Sequence, residues 1–142
     1  MIKDRGRPLS EEDLIGLEER IGCHLPDSYR RFLMENNGGR PNPDGICVAG
    51  IPGGETDIKK FYGIDLPIES SNIDWNVMLV RKSQIPEHML PIANDSGGYK
   101  FCISLADGDR GSIYCCEVGM GGSITLHRVA TDFDAFLGSI RD

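Results

Sequence analysis

Residues Leu25 to Arg40, LPDSYRRFLMENNGGR, constrain the fold more than any other stretch, because they hold a helix together with its start, its stop and its buried face. Asp27 can cap the first turn with its carboxylate, and Pro26 suits the approach to it. Asn37, Gly38 and Gly39 supply the left-handed exit that a Cβ resists. Tyr29, Phe32, Leu33 and Asn36 recur at i, i+3, i+4 and i+7, so one stripe can be buried while Arg30, Arg31 and Glu35 face water. The pattern predicts a helix of about ten residues anchored on a core.

A partner helix precedes it. Ser10 opens that helix with Asp13 three residues on, a shortened capping box, and Glu11 and Glu12 lie at the positive end of the helix dipole. Leu14, Leu17 and Ile21 form its stripe, Gly22 ends it, and the turn Cys23 to Pro26 folds the second helix back. The two stripes then share one core. After Gly39 the style changes: a turn at Pro41, Pro43, Asp44 and Gly45 leads into an apolar strand at Ile46 to Ile51. Ile58 to Ile64 is a further strand, placed near a sheet edge by Lys59 and Lys60.

From Met89 onward the sequence reads as an antiparallel meander. Met89 to Asn94 is a strand, Asp95 to Gly98 a turn, and Tyr99, Phe101, Ile103 and Leu105 alternate with Lys100, Cys102 and Ser104 as on a half-buried strand. Asp107 to Gly111 turns again, Ser112 to Val118 is the next strand, Gly119 to Ser123 a glycine loop, and Ile124 to Val129 the last strand. Thr131 caps a final helix, with Asp134 three residues later and Phe133, Phe136, Leu137 and Ile140 on its buried stripe. These elements predict an α+β fold: an N-terminal helical hairpin, a central, mostly antiparallel sheet covered by helices on one face, and a C-terminal helix packed on that sheet. A chain of 142 residues sits near the commonest domain size, so a single domain over residues 1–142 is expected.

Residues 61–80 are ambiguous. FYGIDLPIESSNIDWNVMLV carries Asp65, Glu69 and Asp74 without a Lys or Arg, and Ser71 or Asn72 could cap a short helix through Trp75 and Met78. Periodicity does not settle helix against strand there. Trp75 reads either as a core aromatic or as an interface anchor among the three acids.

Four stretches, taken in order, resemble one family. With Leu17, Glu18, Ile21 and Gly22 the anchoring helix reads LE..IG..LPDSYRRFL..NNGG; Leu90 to Gly98 (LPIANDSGG), Gly111 to Tyr114 and Asp132 to Leu137 follow. The order resembles the SUKH superfamily, the Smi/Knr-type domain often found as bacterial toxin-immunity proteins. The resemblance implies a non-catalytic protein that holds a toxin, often a nuclease, in an inactive complex; it also covers interaction hubs, so a regulatory scaffold is the alternative. Residues 40–89 match none of its motifs.

Composition and chemistry agree with a binding role. The 22 acidic against 15 basic residues give a charge of −7, which repels nucleic acid and anionic membrane and either suits a basic protein partner or simply keeps the chain in solution. Candidates for contact with that partner are the rim acids Asp65, Glu69 and Asp74 around Trp75 as a buried anchor, then Asp107, Asp109 and Glu117 in the later turns and strand. No signal peptide pattern or long apolar run appears, so a cytoplasmic location is expected.

An enzyme is not expected, nor is a cofactor or metal. Five cysteines, Cys23, Cys47, Cys102, Cys115 and Cys116, form no CxxC pair. Cys115 and Cys116 should leave opposite faces of their strand, one toward the core and one onto the sheet surface. Cys23 and His24 are neighbours in a turn, and His88 and His127 are isolated. A small cysteine- or metal-dependent enzyme is the weakest reading. Asp107-Gly108-Asp109 begins like a calcium loop but continues with Arg110 and has no Glu at the twelfth position. The Gly119 to Gly122 run lacks the spacing and lysine of a phosphate loop.

Overall fold

The N-terminal hairpin forms where its caps place it. In the computed structural model, which describes all 142 residues, a short strand β1 (Ile2–Lys3) precedes α1 (Glu11–Ile21). The Ser10 hydroxyl accepts from the Asp13 amide while the Asp13 carboxylate accepts from the Ser10 amide, so the capping box is complete. Gly22 ends α1 at φ +76°, the left-handed turn that lets the chain reverse. The next helix, α2, spans Asp27–Glu35. Pro26 holds its N-cap position; Asp27 is the first helical residue and makes no capping bond, so its carboxylate acts only through the helix dipole.

The exit of α2 combines glycine with a buried amide. Gly38 and Gly39 have φ of 71° and 116°, and a Cβ on Gly39 would meet the Lys3 carbonyl oxygen at 2.5 Å. Between helix and glycines, buried Asn37 donates to the Arg7 and Ile64 carbonyls and accepts from the Ile64 amide. Such full satisfaction is what a buried side-chain amide requires.

The remaining strands are β2 (Arg40–Pro41), β3 (Gly45–Cys47), β4 (Glu55–Asp57), β5 (Lys60–Phe61), β6 (Met89–Asn94), β7 (Lys100–Ser104), β8 (Ile113–Val118) and β9 (Ile124–Ala130); α3 spans Ile73–Arg81 and α4 Phe133–Gly138. The main sheet runs β5-β6-β7-β8-β9, antiparallel throughout, and β1-β2 and β3-β4 form separate two-stranded ribbons. The expected strand at Ile46 to Ile51 is shorter than its apolar run. Only Gly45–Cys47 pairs, and Val48 to Gly54 turn back with Val48 and Ile51 buried inside the turn. The strand expected at Ile58 to Ile64 contracts to Lys60–Phe61, at the sheet edge that its lysines suggested.

Helices lie on both faces of the sheet, not on one. On the first face, side chains from α1, α2 and α4 join Phe61, Leu90, Phe101, Ile103, Ile113 and Cys115 in a core of 24 buried residues. Phe32 packs against Phe61 and Phe133 with ring centroids 4.9 and 4.8 Å apart, and Phe136 reaches Phe101 at 5.5 Å. On the second face, Val80 of α3 and the following Ile85 cover Met89, Cys102 and Cys116. This corrects two expectations at once. β7 is buried on both sides, and neither Cys115 nor Cys116 reaches the surface, because α3 occupies the face assigned to solvent. The final helix is capped by Asp132, one residue beyond Thr131; its carboxylate accepts from the Ala135 amide at 2.7 Å. No helix is long and apolar enough to cross a membrane.

Candidate functional site

α3 is held from below by amides. Asn72 stands at its N-cap position, but the side chain turns back, accepting from the Leu66 amide and donating to the Leu66 carbonyl. One turn later the fully buried Asn76 donates to the Ser70 and Asn72 carbonyls and accepts from the Lys100 ammonium of β7. Lys100 also donates to the Tyr62 hydroxyl at 3.0 Å and lies over the Tyr62 ring. The helix is thus pinned to the sheet along Ile73, Asn76 and Val80.

Its other side is apolar as well. Asp74 and Met78 stand one turn apart, with Trp75 and Leu79 alongside, on the face turned away from the sheet. Met78 is 51% exposed and Leu79 41%, whereas Trp75 is half-buried and belongs to neither core cluster. An outward helix face ordinarily carries charge. Here it leads into a groove of about 500 Å³ between α3 with the turn after it and the β8–β9 hairpin. Val118 and Ile124, directly opposite each other on β8 and β9, line its far wall. Met120 projects from the hairpin tip, 97% exposed, held there by a glycine turn in which Gly121 and Gly122 take positive φ. Met78, Leu79, Val118 and Met120, with half-buried Trp75 beside the first two, therefore present apolar surface that folding leaves open.

The acids expected at an interface divide into two groups. Asp65, Glu69, Asp74 and Trp75 lie on the segment leading into α3 and on its first turn. Two of these acids are already paired: Asp65 with Arg7 at 2.9 Å, and Asp74 bidentately with Arg20 at 3.0 Å. Glu69 is exposed and makes no ion pair. The second group is scattered. Asp107 is exposed in the β7–β8 turn, while Asp109 accepts from the Ser104 hydroxyl at 2.5 Å and from the Tyr114 hydroxyl at 2.6 Å, bonds that hold its carboxyl below the usual carboxylate range. Glu117 lies at the other end of β8, on the face away from α3, bonded to His127 at 2.7 Å. These three do not form one patch with the first group.

The three buried thiols, Cys102, Cys115 and Cys116, are poorly placed for nucleophilic chemistry. Cys102 and Cys116 face each other at 3.7 Å in the interior, where the contact with Cys116 and then burial push the Cys102 thiol up; burial raises Cys115 to about 12. A reactive cysteine needs the opposite shift and access. No three His, Cys, Asp or Glu side chains gather in a way that could hold a metal ion.

Reasoning from the sequence missed Met78, Leu79, Val118, Met120 and Ile124 as a surface. One signal was available: from Ile73 to Val80 six of eight residues are apolar, more than one face of a short helix can bury. Comparison with curated proteins and with solved structures returns no match. The model of the SMI1 / KNR4 family (SUKH-1) matches residues 8–139, from the strap before α1 to the end of α4, and the chain belongs to that family.

Proposed function

We propose that this chain is a non-catalytic, immunity-type protein of the cytoplasm, one that neutralises a cognate toxin by stoichiometric binding through the outward face of α3 and the adjoining groove. The observation that carries this reading is the open apolar surface of Met78 and Leu79, beside half-buried Trp75, on a helix pinned to the sheet by Asn76 and Lys100, with Val118 and Met120 of the β8–β9 hairpin exposed across the groove. Rigid apolar anchors of this kind form the centre of a protein interface, and charged groups form its rim. Glu69 and the net charge of −7 favour a basic partner, such as a nuclease with a phosphate-binding groove. Family membership supports the same reading.

The test begins with co-purification of tagged chain from its native cells. The captured partner, expressed alone, should arrest growth, and co-expression of this chain should restore it. A Trp75→Ala, Met78→Asp variant should fold yet fail to rescue. A partner that binds without toxicity when expressed alone would favour a regulatory scaffold instead.

A further inference from the structure

A second cavity, of about 330 Å³, lies away from the α3 face, where β1 and the residues after it, β2, β5 and the segment before α3 come together. Three cations converge on it, Arg5, Arg40 and Lys60, although the chain as a whole is strongly acidic. The single carboxylate in its lining is that of Asp4, 3.7 Å from Arg40 Nε, too long for a hydrogen bond. Elsewhere in the chain Arg7, Arg20, Arg30 and Arg31 each meet a carboxylate at 3.1 Å or less. Arg5 donates only to the Asn36 side chain, at 3.3 Å, and the half-buried Lys60 ammonium only to the Ser71 hydroxyl, at 2.8 Å. One wall is apolar, built from Phe61, Leu66, Pro67 and Ile68.

We propose that this cavity binds an oxyanion, a phosphate group or a carboxylate, through Arg5, Arg40 and Lys60. Guanidinium forks match the geometry of both anions, and an ammonium beside them adds a point charge. Burial, and then the like charges of Lys59 and Arg40, lower the Lys60 pKa, and an anion in the cavity offsets both effects. Ser71 already orients the ammonium. The apolar wall excludes water from one side, which strengthens charged hydrogen bonds made there. The site is independent of the α3 face, so it stands or falls without the toxin-binding reading.

Titration of the full, isotope-labelled chain, followed through the amide resonances of Gly6, Gly39 and Lys60, tests the assignment with two probes and with acetate as the bare-carboxylate control. Inorganic phosphate represents a free or ester phosphate, and N-acetyl-leucine represents a carboxylate beside an apolar side chain. Saturable shifts at these amides are expected with at least one probe. Preference for phosphate assigns the site to that anion, and preference for N-acetyl-leucine over both phosphate and acetate assigns it to a carboxylate seated on the apolar wall. Lys60→Met and Arg40→Gln should each weaken binding about tenfold, the usual effect of losing one charge-assisted bond. Lys82→Met, on the distant groove, should not. Arg40 is exposed, so its variant tests the site even if Lys60→Met fails to fold. Absence of saturable shifts with both probes, or equal weakening by Lys82→Met, overturns the proposal.

Discussion

α2 and α3 are both nine residues long, yet they treat their outer faces differently. α2 buries Tyr29, Phe32 and Leu33 and turns Arg31 and Glu35 outward, a division its sequence shows without ambiguity. α3 buries Ile73, Asn76 and Val80 and turns Trp75, Met78 and Leu79 outward. The first helix spends its apolar residues on the core, all but Met34. The second carries a polar residue, Asn76, among its buried ones and apolar residues outside as well as inside, and this mixture blurs its periodicity. A helix that is hard to read from sequence is here hard to read because apolar residues lie on both of its faces.

The largest expected effects sharpen that contrast. Phe32→Ala, which deletes a buried ring in contact with Phe61 and Phe133, should cost roughly 3–5 kcal/mol of stability in urea denaturation. Met78→Ala, one helix over, should change stability by about 0.5 kcal/mol or less. Comparable losses from both would mean that α3's outer face is packed in solution and would erase the distinction.

A smaller effect separates acids that build the fold from acids that face outward. Asp109 is held below its ordinary pKa by bonds from Ser104 and Tyr114. Its contribution to stability is therefore full above the unfolded value of about 3.9 and is lost as pH falls through the folded value. Urea midpoints measured down the acid limb should fall less steeply for Asp109→Asn than for the parent. Glu69, which has no ion-pair partner, should leave stability alone. Glu69→Gln should instead slow association with a basic partner by a few-fold at low salt, and the difference should fade as salt screens the charge. Because Asp65 and Asp74 are already neutralised by Arg7 and Arg20, their replacement should slow association less than that of Glu69.

Much of the fold was legible because it is written in local rules. The Ser10 capping box, the Gly22 and Gly38-Gly39 turns, and the strands from Met89 to Ala130 each depend on a few neighbouring residues. What was not legible depends on distant ones. Asp132 replaces Thr131 as a cap by a one-residue shift that spacing alone cannot decide. Cys116 is buried only because a helix some 35 residues earlier in sequence lies across its face, and Asn37 and Asn76 look like solvent-facing amides until their carbonyl partners come into view. At the candidate site Asp65, Glu69, Asp74 and Trp75 were singled out for charge and aromaticity; of these only Asp74 and Trp75 stand on α3 itself. The arginines that quench two of the acids come from α1 and the strap before it, so their pairing could not be seen in the run itself.

The off-rate of the captured partner from a Trp75→Ala, Met78→Ala variant tests the role of α3 most directly. If its outer face is the docking centre, dissociation should accelerate at least about thirtyfold, as expected for losing an interface hot spot of about 2 kcal/mol, while the urea midpoint stays close to that of the parent. An unchanged off-rate in a folded variant, together with faster dissociation when Arg31 and Met34 on the outer face of α2 are replaced, would contradict it.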